Sequence, residues 1–311
     1  VRHGYTATGV VKSFFGMPLF EYAKRHEFEG CPVLLGGELE MDHEEVGRLW
    51  NASADAWTQL ARAGYDVYRD YLNTPAFFAM LPDVHGFVGL DIGCGEGHNT
   101  RLLAKRGAHM TALDIAEVFI AYAQQEEKRE PLGIDYRVAS AVALPFAEAT
   151  FDFATGCMSF MDIPETGRVL TEAYRVLKPG GFLQFSIAHP CFDTPYRRNL
   201  RNEHGLTYAI EVGDYFRNLN GEIAEWLFGA APQHVTLGMR KFKIPRFSRT
   251  VSQWLNLLVD TGFLLERVEE PCPSDATVRA CPDVQDAQVV AYFLHMRVRK
   301  PSRDLKQLAI I

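Results

Sequence analysis

One segment of this 311-residue chain concentrates residue types that do chemistry: Val88-Gly89-Leu90-Asp91-Ile92-Gly93-Cys94-Gly95-Glu96-Gly97. An apolar run passes there into glycines at every second position. Lacking Cβ, glycine adopts dihedrals closed to other residues and lets a ligand approach the main chain. A helical pattern starts directly afterwards, and the free N–H groups of a first helical turn attract negative charge. Asp114 follows Asp91 by 23 residues, close to the ~20 at which an acid grips the ribose hydroxyls of an adenosine cofactor. A plainer role for Asp114 is to cap the helix that starts at Ile115. A dinucleotide fingerprint would put a small third residue at 98, but His98 stands there and the third glycine falls one place early, at Gly97. The phosphate-binding P-loop fits still less, since no G-K-[ST] follows.

Positioning these groups requires a scaffold, and the hydrophobic spacing supplies one. Apolar runs at 87–92, 109–114, 134–139, 151–160 and 182–187 read as strands. Helical patterns at 98–106, 116–128 and 164–177 lie between most of them, the first closed by Gly107 and the last by Pro179-Gly180-Gly181. Such alternation predicts an α/β fold with a Rossmann-like doubly wound sheet, because parallel neighbours need crossover connections. Ahead of it, two short helices are expected over 42–64, and Asn73-Thr74-Pro75 reads as a capped helix start running to Leu81-Pro82. After 187 the rhythm breaks, then a helix at 248–261 and two strand-like runs at 264–269 and 289–299 follow, the latter pair expected as an antiparallel hairpin at the sheet edge. The expected organisation is an appendage over 1–40, a helical cap over 41–82, a core over 83–192, an inserted lid after the fifth strand over 193–246, a closing helix and hairpin over 247–300, and a tail over 301–311.

Four segments together resemble the class I S-adenosylmethionine-dependent methyltransferases, and within them the methyltransferase type 11 domain. They are Leu90 to Gly97; Leu113-Asp114; Leu144-Pro145-Phe146 followed by Phe151-Asp152; and Arg175-Val176-Leu177-Lys178-Pro179-Gly180-Gly181. The resemblance implies S-adenosyl-L-methionine as cofactor, its methionine part lined by Gly93, Cys94, Gly95 and Gly97, its ammonium oriented with help from Asp91 through water or backbone, and its ribose held by Asp114 beside Ile115. One departure concerns the third strand end, where the family often has an acid for the adenine amino group. Ser140 stands in its place, with the amide of Ala141 available to a ring nitrogen. Cys157, ending the fourth strand, sits where the cofactor and acceptor pockets of the family meet, although an unpaired cysteine is more often a small core residue.

A sulfonium methyl group is already activated, so the protein chiefly has to align an acceptor, exclude water and take up a proton where the acceptor carries one. His189, just past the fifth strand, is the first candidate base, and its bland alternative is bonding to loop backbone. Asp162 is the second, and it reads equally as a cap for the helix beginning at Pro164. Tyr196, Tyr208, Tyr215, Phe216, Trp226 and Phe228 of the insertion suggest the core of a small subdomain ahead of an acceptor pocket. Trp57, Tyr65, Tyr68 and Tyr71 are expected to pack or to close over the cofactor. Arg240, Lys241, Lys243, Arg246 and Arg249 resemble a nucleic-acid patch, but Lys241 and Lys243 alternate with Phe242 and Ile244 as on an amphipathic strand.

Composition bounds the rest. Apolar residues make up 47% and charged residues 23%, with a formal charge of −7, which speaks against disorder and against a nucleic-acid partner. No run reaches the ~18 apolar residues of a membrane span. Six scattered cysteines have no metal-site or disulfide pattern, so no metal is expected and a reducing cytoplasm fits, and the first forty residues lack the pattern of a secretory signal. The expected function is methyl transfer to a small-molecule acceptor. The alternatives are a non-catalytic regulator that binds the same cofactor, and a nicotinamide-dependent oxidoreductase, which the glycine spacing disfavours.

Overall fold

The computed structural model describes residues 41–302, so the expected appendage over 1–40 and nearly all of the tail over 301–311 lie outside the described residues. Asp42 opens the first helix, α1 (His43–Arg62), by accepting the Glu45 N–H at 2.9 Å, and Glu44 and Glu45 meet the positive end of the helix dipole. It is one continuous helix of 20 residues, not the two short ones expected. Neither Gly nor Pro interrupts 48–62, and Val46, Ala54, Leu60 and Ala61 keep one buried stripe throughout.

Asn73 does not cap α2 (Thr74–Met80). Its backbone is already helical, at the end of a π-helical turn over Arg69–Asn73. Its side chain serves tertiary contacts instead, donating to Cys157 Sγ at 3.4 Å and accepting from His295 Nε2 at 2.7 Å.

The central sheet is built from β1 (Val88–Ile92), β2 (His109–Asp114), β3 (Asp135–Val138), β4 (Phe151–Cys157), β5 (Leu177–Ala188), β10 (Leu264–Glu269) and β11 (Phe293–Arg299) in the order β10-β11-β5-β4-β1-β2-β3. Strands β1 to β5 are parallel, and β11 and β10 add an antiparallel edge hairpin, as expected. Helices cover both faces. On one side α5 (Thr166–Val176) and α6 (Val251–Thr261) bury Leu170 and Trp254 against Leu90, Ile92, Phe185 and Met296. On the other, α2, α3 (His98–Lys105) and α4 (Glu117–Arg129) bury Phe77, Leu103 and Ile120 against Met110 and Phe153. Burial on both faces explains why these strands read as continuous apolar runs.

Local chemistry moves several boundaries. The fourth strand stops at Cys157, because Met158 takes a positive φ and a 3₁₀ turn over Phe160–Asp162 follows. β5 begins at Leu177, and the Pro179-Gly180-Gly181 turn becomes a shift of register against β4 between Leu177 and Phe182. β11 starts at Phe293 because a 3₁₀ segment, Pro282–Gln288, precedes it. The insertion, which looked irregular, holds two antiparallel hairpins: β6 (Tyr196–Arg201) with β7 (Thr207–Gly213), and β8 (Glu222–Trp226) with β9 (Phe242–Arg246). In β9, Phe242 and Ile244 are buried while Lys243 is exposed. Trp57 of α1 packs edge-on against Trp226 and Phe228, with centroids 5.4 and 4.8 Å away, so the first helix and the insertion share one aromatic core. Among the described residues no helix is long and apolar enough to cross a membrane.

Candidate functional site

A cavity of about 880 Å³ opens at the carboxyl ends of β1 to β5, lined by Gly93 to Glu96, Asp114, Ala139 to Ala141, Cys157 and Ala188. Ligands bind doubly wound sheets at this edge. Its floor is the glycine turn, tied to the neighbouring strand because Gly93 N–H and Cys94 N–H both donate to the Leu113 carbonyl, at 2.9 and 3.0 Å.

The three glycines of the turn serve different ends. Gly95 has φ +55° and no atom within 4 Å of the place a Cβ would take, and it lines the cavity, so a ligand can lie directly on its main chain. At Gly93 a Cβ would fall 2.4 Å from Ser159 Cβ. At Gly97, φ +88°, it would fall 2.6 Å from the Tyr136 hydroxyl, and Gly97 is not among the cavity-lining residues. The third glycine therefore serves helix-to-sheet packing.

Asp114 stands at the end of β2 on the cavity wall. One carboxylate oxygen accepts from Gly95 N–H and the other from Ala116 N–H, both at 2.9 Å. It thus couples the glycine turn to the start of α4 while its remaining lone pairs stay available. Loss of water raises its pKa to about 6, against the opposing pull of the two N–H groups. Ile115, Ser140 and Ala141 line the same side, and Ser140 Oγ also accepts from Val142 N–H at 3.4 Å.

Asp91 stands behind the turn, so any influence on the ammonium group would be indirect. Only 2% exposed and absent from the lining, it accepts the hydroxyls of Thr100 and Thr155 at 2.6 and 2.8 Å. Burial pushes its pKa up and the two hydroxyls pull it back. Asp91 joins β1, α3 and β4, and its influence on the cavity passes through that framework. Cys94 and Cys157 do line the cavity as neutral thiols. Burial raises Cys94 well above the ordinary range and Cys157 to about 12, which removes thiolate chemistry near neutral pH.

The two candidate bases separate. His189 is 4% exposed and is not a lining residue. Its Nδ1 accepts from Cys191 N–H at 3.2 Å, which leaves the proton on Nε2, 2.7 Å from Glu270 Oε1. Both ring nitrogens are therefore engaged in holding the loop. Asp162 lines the cavity. It does not cap α5, whose N-cap is Glu165, and its carboxyl group makes no hydrogen bond within the described residues. Burial and the nearby Asp193 raise its pKa to about 8, opposed by Arg246.

Other residues complete the lining. Glu96, inside the glycine turn, is buried and ion-paired with Arg62 at 3.3 Å and Arg69 at 3.4 Å, which brings the helical cap to the floor of the cavity. Asp66, also lining, is pushed to about 6 by burial. Trp57, Tyr65 and Tyr68 reach the cavity, whereas Tyr71 does not. From the insertion come Arg197, Tyr215 and Trp226, and Tyr215 fixes its ring by accepting the Val251 N–H at 2.9 Å. The aromatic residues were candidates in the sequence, whereas Glu96, Asp66 and Arg197 have neither glycine spacing nor a strand-end position to mark them.

Comparison with known proteins gives a consistent picture. Residues 90–185 match the family described as "Methyltransferase domain". The chain is 31% identical over 186 residues to a ubiquinone biosynthesis O-methyltransferase of Coxiella burnetii, spanning 58% of this chain and 73% of that protein. It is 25% identical over 194 residues to a malonyl-[acyl-carrier protein] O-methyltransferase of Pectobacterium atrosepticum, spanning 52% and 75%. A solved S-adenosylmethionine-dependent methyltransferase from Mesorhizobium loti superposes with a TM-score of 0.59 at 28% identity, covering 72% of this chain and 96% of that one.

Proposed function

From the premise that the chain belongs to the class I S-adenosylmethionine-dependent methyltransferases, we propose that it methylates a hydroxyl oxygen of a small molecule, with Asp162 taking up the hydroxyl proton. The observation that carries this reading is the Asp162 carboxyl group, which lines the cavity without a hydrogen-bonding partner among the described residues. The names of the relatives, O-methyltransferases acting in ubiquinone biosynthesis and on a malonyl carrier protein, support an oxygen acceptor.

The residues present fit the cofactor. Gly95 leaves open the space that a Cβ would fill, and Asp114 offers free lone pairs beside it. Gly95, Cys94, Asp114, Ile115, Ser140 and Ala141 would hold S-adenosylmethionine, with Gly93 and Gly97 shaping the turn from behind. When bound, that cofactor supplies an electrophilic methyl group. The chain's part is to seat the acceptor oxygen, keep water out and move one proton.

Asp162 is suited to the last task, because a base works best with a pKa close to the operating pH. As the acceptor oxygen gains its methyl group, the hydroxyl proton passes to a carboxylate oxygen of Asp162. The hairpins of the insertion form the outer wall, and Tyr215 and Trp226 give it an aromatic surface. S-adenosylhomocysteine release from a panel of phenols and alcohols tests the reading. Asp162→Asn should lower the rate ~10²-fold or more, as expected for loss of a general base, with cofactor affinity unchanged. Equal rates in the two proteins would refute the role of Asp162.

A further inference from the structure

Around the half of the cavity formed by the ends of β4 and β5 and by the insertion stand four arginines: Arg197, Arg201, Arg246 and Arg249. Two are matched by acids, since Arg201 pairs with Asp286 at 2.9 Å and Arg246 with Asp193 at 2.8 Å. Arg249 meets no acid. Its Nη2 donates to the carbonyls of Ile163 and Pro164, at 3.4 and 2.7 Å, and its buried Nη1 finds no acceptor.

Arg197 is barer still. Among the described residues it makes neither an ion pair nor a hydrogen bond, and its Nε and Nη2 are buried without an acceptor. These two atoms form the side-on edge of the guanidinium, whose spacing matches two oxygens of one oxyanion. The group lies 4.2 Å above the Tyr292 ring, which stacks on Tyr68 at 5.0 Å and 12°. That stack fixes its plane.

Buried donors without partners are rare in folded proteins, and a water, an ion or a ligand atom has to meet them. Arg197 and Arg249 both line this cavity, and neither has an ion-pairing acid among the described residues.

We propose that the methyl acceptor is an acid, and that its oxyanion, a carboxylate or a phosphate monoester, binds side-on to Arg197, with Arg249 a second unmatched cation lining the same cavity. This rests on the reading of the cavity as the site of methyl transfer to a small molecule, and it names the substrate class. The arrangement separates two ends of the acceptor: an anionic end on the insertion side, and a hydroxyl end near Asp162.

The test uses the full chain saturated with S-adenosylhomocysteine. Hydroxybenzoates, hydroxycinnamates, short hydroxy acids and the phosphate monoesters of matched scaffolds are each paired with a neutral amide or alcohol. Binding is read by calorimetry for the parent, Arg197→Gln and Arg197→Lys. At least one acid should bind tenfold or more tightly than its neutral twin, and Arg197→Gln should erase that preference while changing S-adenosylhomocysteine affinity less than twofold. Arg197→Lys keeps the charge but loses the fork and should fall between. If Arg197→Gln does not fold, an acid affinity unchanged in Arg197→Lys overturns the proposal. It is equally overturned if no acid outbinds its twin, or if Arg197→Gln discriminates as the parent does. Carboxylate and phosphate arms tell the two oxyanions apart. Turnover of the same panel is measured alongside. Release of S-adenosylhomocysteine with neutral and acidic acceptors alike removes the acid requirement and leaves methyl transfer standing. Acid binding without any release keeps the anion site and removes the transfer reading.

Discussion

Replacing Asp162 by Asn tests the electrostatics of the acceptor wall without knowledge of the acceptor. In the unfolded chain this carboxyl ionises near its ordinary 3.8, and in the folded protein near 8. Between those values the folded state keeps a proton that the unfolded state has released, so rising pH draws the equilibrium toward unfolding. The cost is absent below about pH 4, grows from there, and is complete above about pH 8. At about 1.4 kcal/mol per tenfold change, the full displacement sets an upper limit near ~6 kcal/mol, and water in the cavity should reduce it to ~2–3 kcal/mol. Asn is uncharged throughout and nearly isosteric. Urea unfolding of parent and variant from pH 5 to pH 9 should therefore show Asp162→Asn gaining stability over the parent with rising pH, from a small margin at pH 5 to ~2–3 kcal/mol at pH 9. Asp193→Asn provides a control, since it removes the nearby negative charge and frees Arg246 from its ion pair. It should lower the Asp162 pKa and flatten the slope. A difference between parent and Asp162→Asn that stays constant with pH would refute the reasoning.

Two further substitutions separate roles that lie close together in sequence. Gly95→Ala should cost only ~1–2 kcal/mol of stability, the price of a left-handed backbone with open space around it, yet weaken S-adenosylhomocysteine binding more than tenfold. Gly97→Ala should do the reverse, losing ~2–3 kcal/mol through collision with Tyr136 while the folded protein binds the cofactor nearly as before. Chemical denaturation and calorimetry of the pair check both, and parallel losses would overturn the division. His189→Asn should lower stability by ~1–2 kcal/mol through its lost contacts to Cys191 and Glu270. The pH dependence of methyl transfer should keep its parent midpoint, and a shifted midpoint would restore His189 as a base.

The sheet was legible because its signals are local. Apolar runs, closing glycines and strand-end acids announce β1 to β5 and the helices between them, and the Leu264–Glu269 and Phe293–Arg299 hairpin follows from two strand-like runs. Asp114 was legible for the same reason, as an acid at a fixed distance along the chain. Side chains whose meaning depends on distant partners were not. Asn73 reads as a cap until His295 and Cys157 claim its side chain. His189 sits where a base would, and only the fold reveals that Glu270 and Cys191 occupy its nitrogens. Of the insertion's aromatic residues expected to form a subdomain core, Trp226 and Phe228 do pack, against Trp57 about 170 residues earlier in the chain, whereas Tyr196, Tyr208 and Phe216 are exposed. Arg197 gave no signal at all, since what distinguishes it is the absence of a partner.

The central claim is that a glycine turn with open main chain and the acid ending the next strand grip the cofactor together. Calorimetric titration of S-adenosylhomocysteine into the parent and Asp114→Ala from pH 5 to pH 8 tests it most directly. Because Asp114 ionises near 6, the parent should bind more tightly as pH rises through that value. The variant should bind at least ~tenfold more weakly at pH 8, a loss of ~1.4 kcal/mol, with no such dependence. Equal affinity in the two proteins at pH 8 would contradict the account.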